Sequence, residues 1–144
     1  MIFRNPFKIY QHSLNFMTPT DIRLNIARAF ISRVRTGFED VFVDAYVFGS
    51  TSKRMAHESS DLDLFFIIHR PTEEERQKWN PPQEMKPGRN LILFKHQEEI
   101  YAIRNSFEEE YEIMISCYFS YDTQSYDFLK RLTGKTRMRW NELF

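Results

Sequence analysis

The sequence is poor in cysteine and contains no long hydrophobic run. Its single cysteine, Cys117, cannot form a disulfide within the chain, and disulfides are features of oxidising compartments. The N-terminal stretch lacks the continuous apolar segment of a secretory leader, and no segment approaches the apolar length of a membrane span. We therefore expect a cytoplasmic protein that does not enter a membrane.

The sequence also lacks an excess of charge of either sign. Its 20 Lys and Arg residues are balanced by 20 Asp and Glu residues, so the formal net charge is zero. Proteins dedicated to nucleic acids usually carry a basic excess that neutralises phosphates. Nucleic acid is therefore a less favoured partner, although a local basic patch is compatible with this balance.

Large apolar side chains are plentiful. Aromatic residues make up 16% of the chain, with 14 Phe and 7 Tyr, and its 144 residues are enough for one sizeable core but too few for two. We expect a single globular domain over residues 1–144.

The first half of the chain has clear periodicity. Apolar residues at three- and four-residue spacing predict a helix over 20–36, and the β-branched and aromatic runs at 40–48 and 61–68 predict strands. Residues 69–90 hold four of the six prolines and many charges. They predict a surface excursion with one or two helical turns around residues 72–79.

The second half of the chain is less decisive. Residues 91–95 and 111–119 are strand candidates, and 125–134 predict a short helix that ends at a glycine. Residues 98–107 fit a strand or a short helix, and periodicity does not separate the two. The order of elements predicts a compact α/β domain built on a mixed sheet.

Two aspartates stand at the start of the second predicted strand. In a strand, residues i and i+2 point to the same side, so Asp61 and Asp63 face together while Leu62 and Leu64 face the opposite core. Carboxylates this close repel each other unless a cation lies between them. Mg²⁺ fits, because it takes oxygen ligands and keeps positions open for water and phosphate. Solvated carboxylates at an exposed strand start are the alternative.

A Gly-Ser pair ends the first predicted strand. Glycine lets the backbone approach a phosphate closely at Gly49, and the hydroxyl of Ser50 with the N–H groups that follow can bind phosphate oxygens. A phosphate-binding turn beside paired metal carboxylates indicates phosphoryl or nucleotidyl transfer.

This pattern resembles a known signature. Gly49-Ser50, ten further residues, and Asp61-Leu-Asp63 are similar to the motif GSxxxGxxxxxSDxDL of the DNA polymerase β-like nucleotidyltransferase superfamily. Ser60 falls on the serine of that motif that precedes the first aspartate. The spacing from Gly49 to Asp61 matches without a gap.

The resemblance covers residues 20–68, and it implies a fold and an activity. The implied fold is α/β (α+β), with a mixed, mostly antiparallel sheet and flanking helices. The implied activity is Mg²⁺-dependent transfer of a nucleoside monophosphate from an NTP to a hydroxyl of a small molecule or partner protein. Asp61 and Asp63 would hold the metal, while Gly49, Ser50 and Ser60 would contribute to the nucleotide site.

The sequence departs from the motif at its second glycine, whose position is taken by Arg54. The turn must then form without the conformational freedom of glycine. Lys53 and Arg54 could instead supply positive charge to a triphosphate. A solvated pair of loop cations is the alternative interpretation.

The family also requires a third carboxylate from a later strand, for which Glu112 is the candidate because it lies inside an apolar run. It could equally be a surface glutamate that ends the acidic run before it. If 111–119 form the strand beside 61–68, Glu112 and Ser116 share the face of the aspartates, and the register decides which is level with them. Glu112 at that level would complete an enzyme site. Ser116 there would favour a catalytically inactive module that binds a nucleotide or a protein.

Overall fold

The structure, a computed structural model, describes residues 17–78, 94–122, 125–134 and 136–144. Its first helix, α1 (Pro19–Gly37), confirms the helix predicted over 20–36. The hydroxyl of Thr18 accepts a hydrogen bond from the Asp21 backbone N at 3.1 Å. Pro19 occupies the first turn, where its missing N–H costs nothing.

The other elements follow α1 along the chain. They are β1 (Phe42–Phe48), the one-turn helix α2 (Gly49–Ser52), β2 (Leu62–Ile68), α3 (Glu73–Lys78), α4 (Gln97–Tyr111), β3 (Ile115–Tyr121), α5 (Ser125–Thr133), β4 (Arg137–Arg139) and a 3₁₀ turn (Trp140–Leu143). Among the residues described, no helix is both long and apolar enough to cross a bilayer.

The four strands form one mixed sheet in the order β3-β2-β1-β4. Strand β1 runs antiparallel to both β2 and β4, whereas β2 and β3 are parallel. The predicted fold class, a mixed and mostly antiparallel sheet with flanking helices, is confirmed.

The two sides of the sheet carry different side chains. Leu62, Leu64 and Phe66 of β2 lie on the side that we call the core face, where they pack with apolar residues of α1 and α4. Phe65 and Ile67 lie on the opposite side, the site face, and pack with Leu129 of α5. Strand β2 is buried on both faces because it lies inside the sheet, as its apolar sequence predicts.

The prediction of a strand over 111–119 is wrong for its first residues, because the strand begins later. Tyr111 is the last residue of α4, Glu112 follows in the left-handed conformation with φ of 55°, and the strand begins at Ile115. The backbone N of Glu112 donates to the carbonyl of Glu108 at 2.9 Å, which ends the helix. Glu112 is thus a helix-terminating residue, and strand alternation does not apply to it.

The predictions for three other segments agree with the structure to different extents. Residues 98–107 lie in α4, which resolves that alternative in favour of helix. The helical turns expected near 72–79 are present as α3. Of the strand predicted over 91–95, the two described residues, 94 and 95, lie outside any strand. The rest of that segment and residues 79–90 lie outside the described residues.

Strand β4 was not predicted from the sequence, and an ion pair between a buried carboxylate and an exposed arginine holds it to the sheet. The carboxylate of Asp44, which is 4% exposed, accepts hydrogen bonds from Arg139 Nε at 3.0 and 3.1 Å. The Tyr46 hydroxyl donates to the same carboxylate at 3.1 Å, and the Ala45 backbone N donates at 2.9 Å. This pair fixes β4 beside β1.

We predict that Arg139→Gln lowers the free energy of unfolding by about 1–3 kcal/mol, because it leaves a buried carboxylate without its cation. In an Asp44→Asn background the same change should cost much less, since no buried charge remains to be orphaned. Urea denaturation of the four proteins in this cycle measures the difference. Equal losses in both backgrounds would contradict a structural role for the pair.

Candidate active site

The register of the sheet brings four residues into one row across the site face. Phe48 pairs with Asp63, Asp63 pairs with Ser116, and Phe48 also pairs with Arg137 of β4. Residues directly opposite each other on paired strands point to the same side of a sheet. We call Arg137, Phe48, Asp63 and Ser116 the site row.

The two aspartates lie at the beginning of β2. Asp61 is exposed and immediately precedes the strand, Asp63 is half-buried on the site face, and Leu62 and Leu64 are fully buried on the core face as predicted. Burial raises the pKa of Asp63 above its usual value, and the negative charge of Asp61 raises it further. The two carboxylates are therefore near enough to repel each other.

Gly49 brings the backbone directly against Asp63. It follows Phe48, the partner of Asp63, and has a left-handed φ of 70°. A Cβ atom built on Gly49 would lie 2.4 Å from Asp63 Oδ2 and 3.3 Å from its Cγ. Only glycine satisfies both the conformation and the contact. The phosphate-binding turn predicted from the sequence and the predicted metal carboxylate are thus in van der Waals contact.

The turn after β1 is a one-turn helix closed by a hydrogen-bond pair typical of helix C-termini. The Met55 N donates to the Ser50 carbonyl at 2.8 Å, and the Arg54 N donates to the Thr51 carbonyl at 3.1 Å. Arg54 takes the left-handed position that glycine usually occupies in this motif, with φ of 57°. The turn therefore forms without glycine, as expected. The left-handed conformation of Arg54 costs about 1 kcal/mol or more in conformational free energy.

Ser60 closes the loop before the aspartates. Its hydroxyl accepts a hydrogen bond from the His57 N at 3.0 Å, and its own N donates to the His57 carbonyl at 3.0 Å. The structure thus gives this hydroxyl a partner within the loop. The nucleotide contact predicted for Ser60 stays a prediction, as do those of Ser50, Lys53 and Arg54, of which the last two are exposed.

Arg23 of α1 anchors the same loop, and the sequence analysis missed it. This side chain is 2% exposed, and it donates to the carbonyls of Ser60 and Glu58 at 2.9 Å and of Pro19 at 3.0 Å. Desolvation lowers the pKa of Arg23, while the nearby charge of Asp61 opposes that shift. Arg23 therefore fixes the backbone one residue before Asp61.

A signal for Arg23 was present in the sequence. It lies three residues before Ile26 and four before Ala27, so it shares the apolar face of α1 with them. An arginine on the apolar face of a helix is buried when the helix packs, and a buried arginine is almost always paired. A second contact from the same end of α1 supports the loop, because the Ala56 N donates to the Thr20 hydroxyl at 3.2 Å.

The register answers the question of the third carboxylate. Ser116, not Glu112, pairs with Asp63, and Glu112 ends a helix outside the strand. The geometric basis for Glu112 as a metal ligand is therefore wrong. In the described part of the chain, no three His, Cys, Asp or Glu side chains are grouped so that they could hold a metal ion.

Asp61 and Asp63 nevertheless suit one divalent cation. Their oxygens are the ligands that Mg²⁺ prefers, and a bound cation would offset both the burial and the repulsion that raise the pKa of Asp63. The Gly49 backbone lies directly against the Asp63 carboxylate, which a Cβ atom at that position would displace.

A protein family matches most of the chain. The family described as nucleotidyltransferase domain matches residues 28–120, which include the turn, the loop and both aspartates. The chain belongs to this nucleotidyltransferase family.

A solved structure shows a distant likeness to the chain. The crystal structure of a candidate nucleotidyltransferase from Sulfolobus solfataricus is similar, with 14% identity and a TM-score of 0.46 over 84% of this chain and 81% of that one. A likeness at that level carries no argument. No curated protein matches the chain.

We predict that Gly49→Ala destabilises the protein by about 1–2 kcal/mol through its left-handed backbone alone, with a further loss from the contact with Asp63. Adding Asp63→Ala to Gly49→Ala should remove the loss caused by the contact and leave the loss caused by the left-handed backbone. Thermal unfolding of the double variant measures the difference. Gly134→Ala is the matched control, because Gly134 also has a left-handed φ, of 66°, and a Cβ there meets nothing within 4 Å. A Gly49→Ala cost no greater than the Gly134→Ala cost would contradict the close approach.

We predict that Asp63→Asn stabilises the metal-free protein at pH 7 by up to about 1 kcal/mol, since the partial burial of a charged carboxylate and its screened repulsion with Asp61 both disappear. The pKa of Asp63 is raised in the folded state, so folding takes up a proton and stability falls as pH rises through the folded pKa. The gain should vanish near pH 3, where the carboxyl is protonated. Urea denaturation at both pH values tests this, and an equal gain at both would refute it.

Proposed function

We propose that this protein binds an NTP with Mg²⁺ and transfers its nucleoside monophosphate to a hydroxyl of a small molecule or partner protein, releasing pyrophosphate. The observation that carries the proposal is the contact between Gly49 and Asp63, which brings the turn predicted to bind phosphate against a carboxylate predicted to bind metal. The family match supports nucleotidyl transfer as the type of reaction.

Each residue of the site has a separate task in this proposal. Asp61 and Asp63 hold the metal ion, and Arg23 holds the loop that presents Asp61. The backbone of Gly49 and the hydroxyl of Ser50 bind phosphate oxygens at the end of β1. A magnesium ion bound there would neutralise charge that develops on the phosphates during transfer.

The acceptor is inferred only by class. A formal net charge of zero gives no general attraction to a long nucleic acid, and this favours a small molecule or a protein. A reducing compartment such as the cytoplasm suits a chain with one cysteine.

A second candidate function is a module that binds a nucleotide or a protein without catalysis. The register favours it, because Ser116 and not a carboxylate is level with Asp63. The family match does not favour it.

Transfer can be tested with each of the four NTPs labelled on the α-phosphate, with and without Mg²⁺, using the wild type, Asp63→Asn and Ser116→Asp. We expect Mg²⁺-dependent release of pyrophosphate or a labelled acceptor from the wild type, and none from Asp63→Asn. Ser116→Asp should bind Mg²⁺ more tightly, because it adds a carboxylate level with Asp63.

The outcomes separate the two candidates. Tight, Mg²⁺-dependent NTP binding without transfer, with transfer gained only in Ser116→Asp, would support the binding module. Neither binding nor transfer by the wild type would overturn both.

A further inference from the structure

Strand β4 brings an arginine to the site that the sequence analysis did not consider. Arg137 pairs with Phe48, and Phe48 pairs with Asp63, so Arg137 lies in the site row on the far side of β1 from the aspartates. Adjacent strands are about 4.8 Å apart, which puts the backbones of Arg137 and Asp63 roughly 10 Å from each other. The alternation along β4 agrees, because Met138 packs on the core face.

The phosphate-binding turn lies between these two residues. Helix α2 begins directly after β1, which has β2 on one side and β4 on the other. The Ser52 hydroxyl contacts the carbonyls of Gly49 at 2.9 Å and Thr136 at 3.2 Å, and so ties the turn to the residue before Arg137. The turn therefore has a carboxylate pair on one flank and an arginine on the other.

The two arginines of β4 have different surroundings. Arg139 is held by the buried carboxylate of Asp44. Arg137 is partly exposed, and its Nη1 donates to the Gly134 carbonyl at 3.1 Å, a neutral acceptor that orients the guanidinium. A guanidinium is suited to phosphate because its planar fork can bind two oxygens at once.

We propose that Arg137 binds the terminal phosphates of the nucleotide and so makes the site selective for triphosphates over monophosphates. This inference rests on the proposed function. The aspartates would hold the metal on one flank, the Gly49-Ser50 turn would bind phosphate oxygens beside them, and Arg137 would bind the end of the phosphate chain on the other flank. Arg137 is fixed by a strand, whereas Lys53 and Arg54 lie exposed after α2.

The test compares affinities for ATP, GTP, CTP and UTP with those for the corresponding monophosphates, in Mg²⁺, by titration calorimetry. Arg137→Gln should weaken triphosphate binding by about tenfold, the size of a lost charge-assisted hydrogen bond, and leave monophosphate binding within about twofold. Arg137→Lys keeps the charge and should lose less. Arg33→Gln is the matched control, because Arg33 is an exposed arginine of α1, which packs on the opposite face of the sheet.

The outcomes distinguish this inference from the function on which it rests. A wild type that binds no triphosphate would overturn both, and one that binds triphosphates no more tightly than monophosphates would overturn this inference alone. A selective wild type with Arg137→Gln indistinguishable from Arg33→Gln would overturn the role of Arg137 alone. If Arg137→Gln does not fold, Arg137→Lys must still reduce triphosphate affinity without changing monophosphate affinity, and an unchanged ratio would refute the proposal.

Discussion

The close approach of the Gly49 backbone to the Asp63 carboxylate is the constraint around which the other features of the site are arranged. Because Phe48 pairs with Asp63 in an antiparallel ladder, the residue after Phe48 must pass beside that carboxylate. A side chain there would collide with the carboxylate, since a Cβ atom would lie 2.4 Å from Asp63 Oδ2. Strand β1 therefore ends at this level, and the chain turns at once into α2.

Two buried charged residues hold the two flanks of this contact. Arg23 satisfies its guanidinium with three backbone carbonyls and thereby fixes the loop that leads to Asp61. Asp44 pairs with Arg139 and thereby fixes β4, which carries Arg137. Burying a charge is costly unless it is fully hydrogen-bonded, and both charges are bonded to the segments that border the site. The hydrogen bonds that offset the desolvation of Arg23 and Asp44 therefore also hold the backbone segments that border the site.

The site row combines side chains of different chemistry in a fixed order. Arg137 lies at one end, Phe48 is next, Asp63 is third and Ser116 completes the row on β3. Phe48 also contacts Tyr118, with ring centroids 5.7 Å apart, so an apolar pair borders the carboxylate. Because Ser116 stands at the last position, Asp63 is the one carboxylate of the row, with Asp61 two residues before it, and this differs from the three-carboxylate pattern that the motif implies.

The sequence by itself determined the features that depend on local spacing. The amphipathic stripe of α1, the alternation that separates Asp63 from Leu62 and Leu64, and the motif from Gly49 to Asp61 were all readable, because each depends on residues close together in the chain. The tertiary structure alone decided which distant residues meet. Ser116 is level with Asp63 because α4 continues to Tyr111 and delays the start of β3, and a helix end cannot be located within a mixed apolar and acidic segment from periodicity. Strand β4 was unpredictable because three residues have too little pattern, and its place depends on an ion pair between residues 95 positions apart.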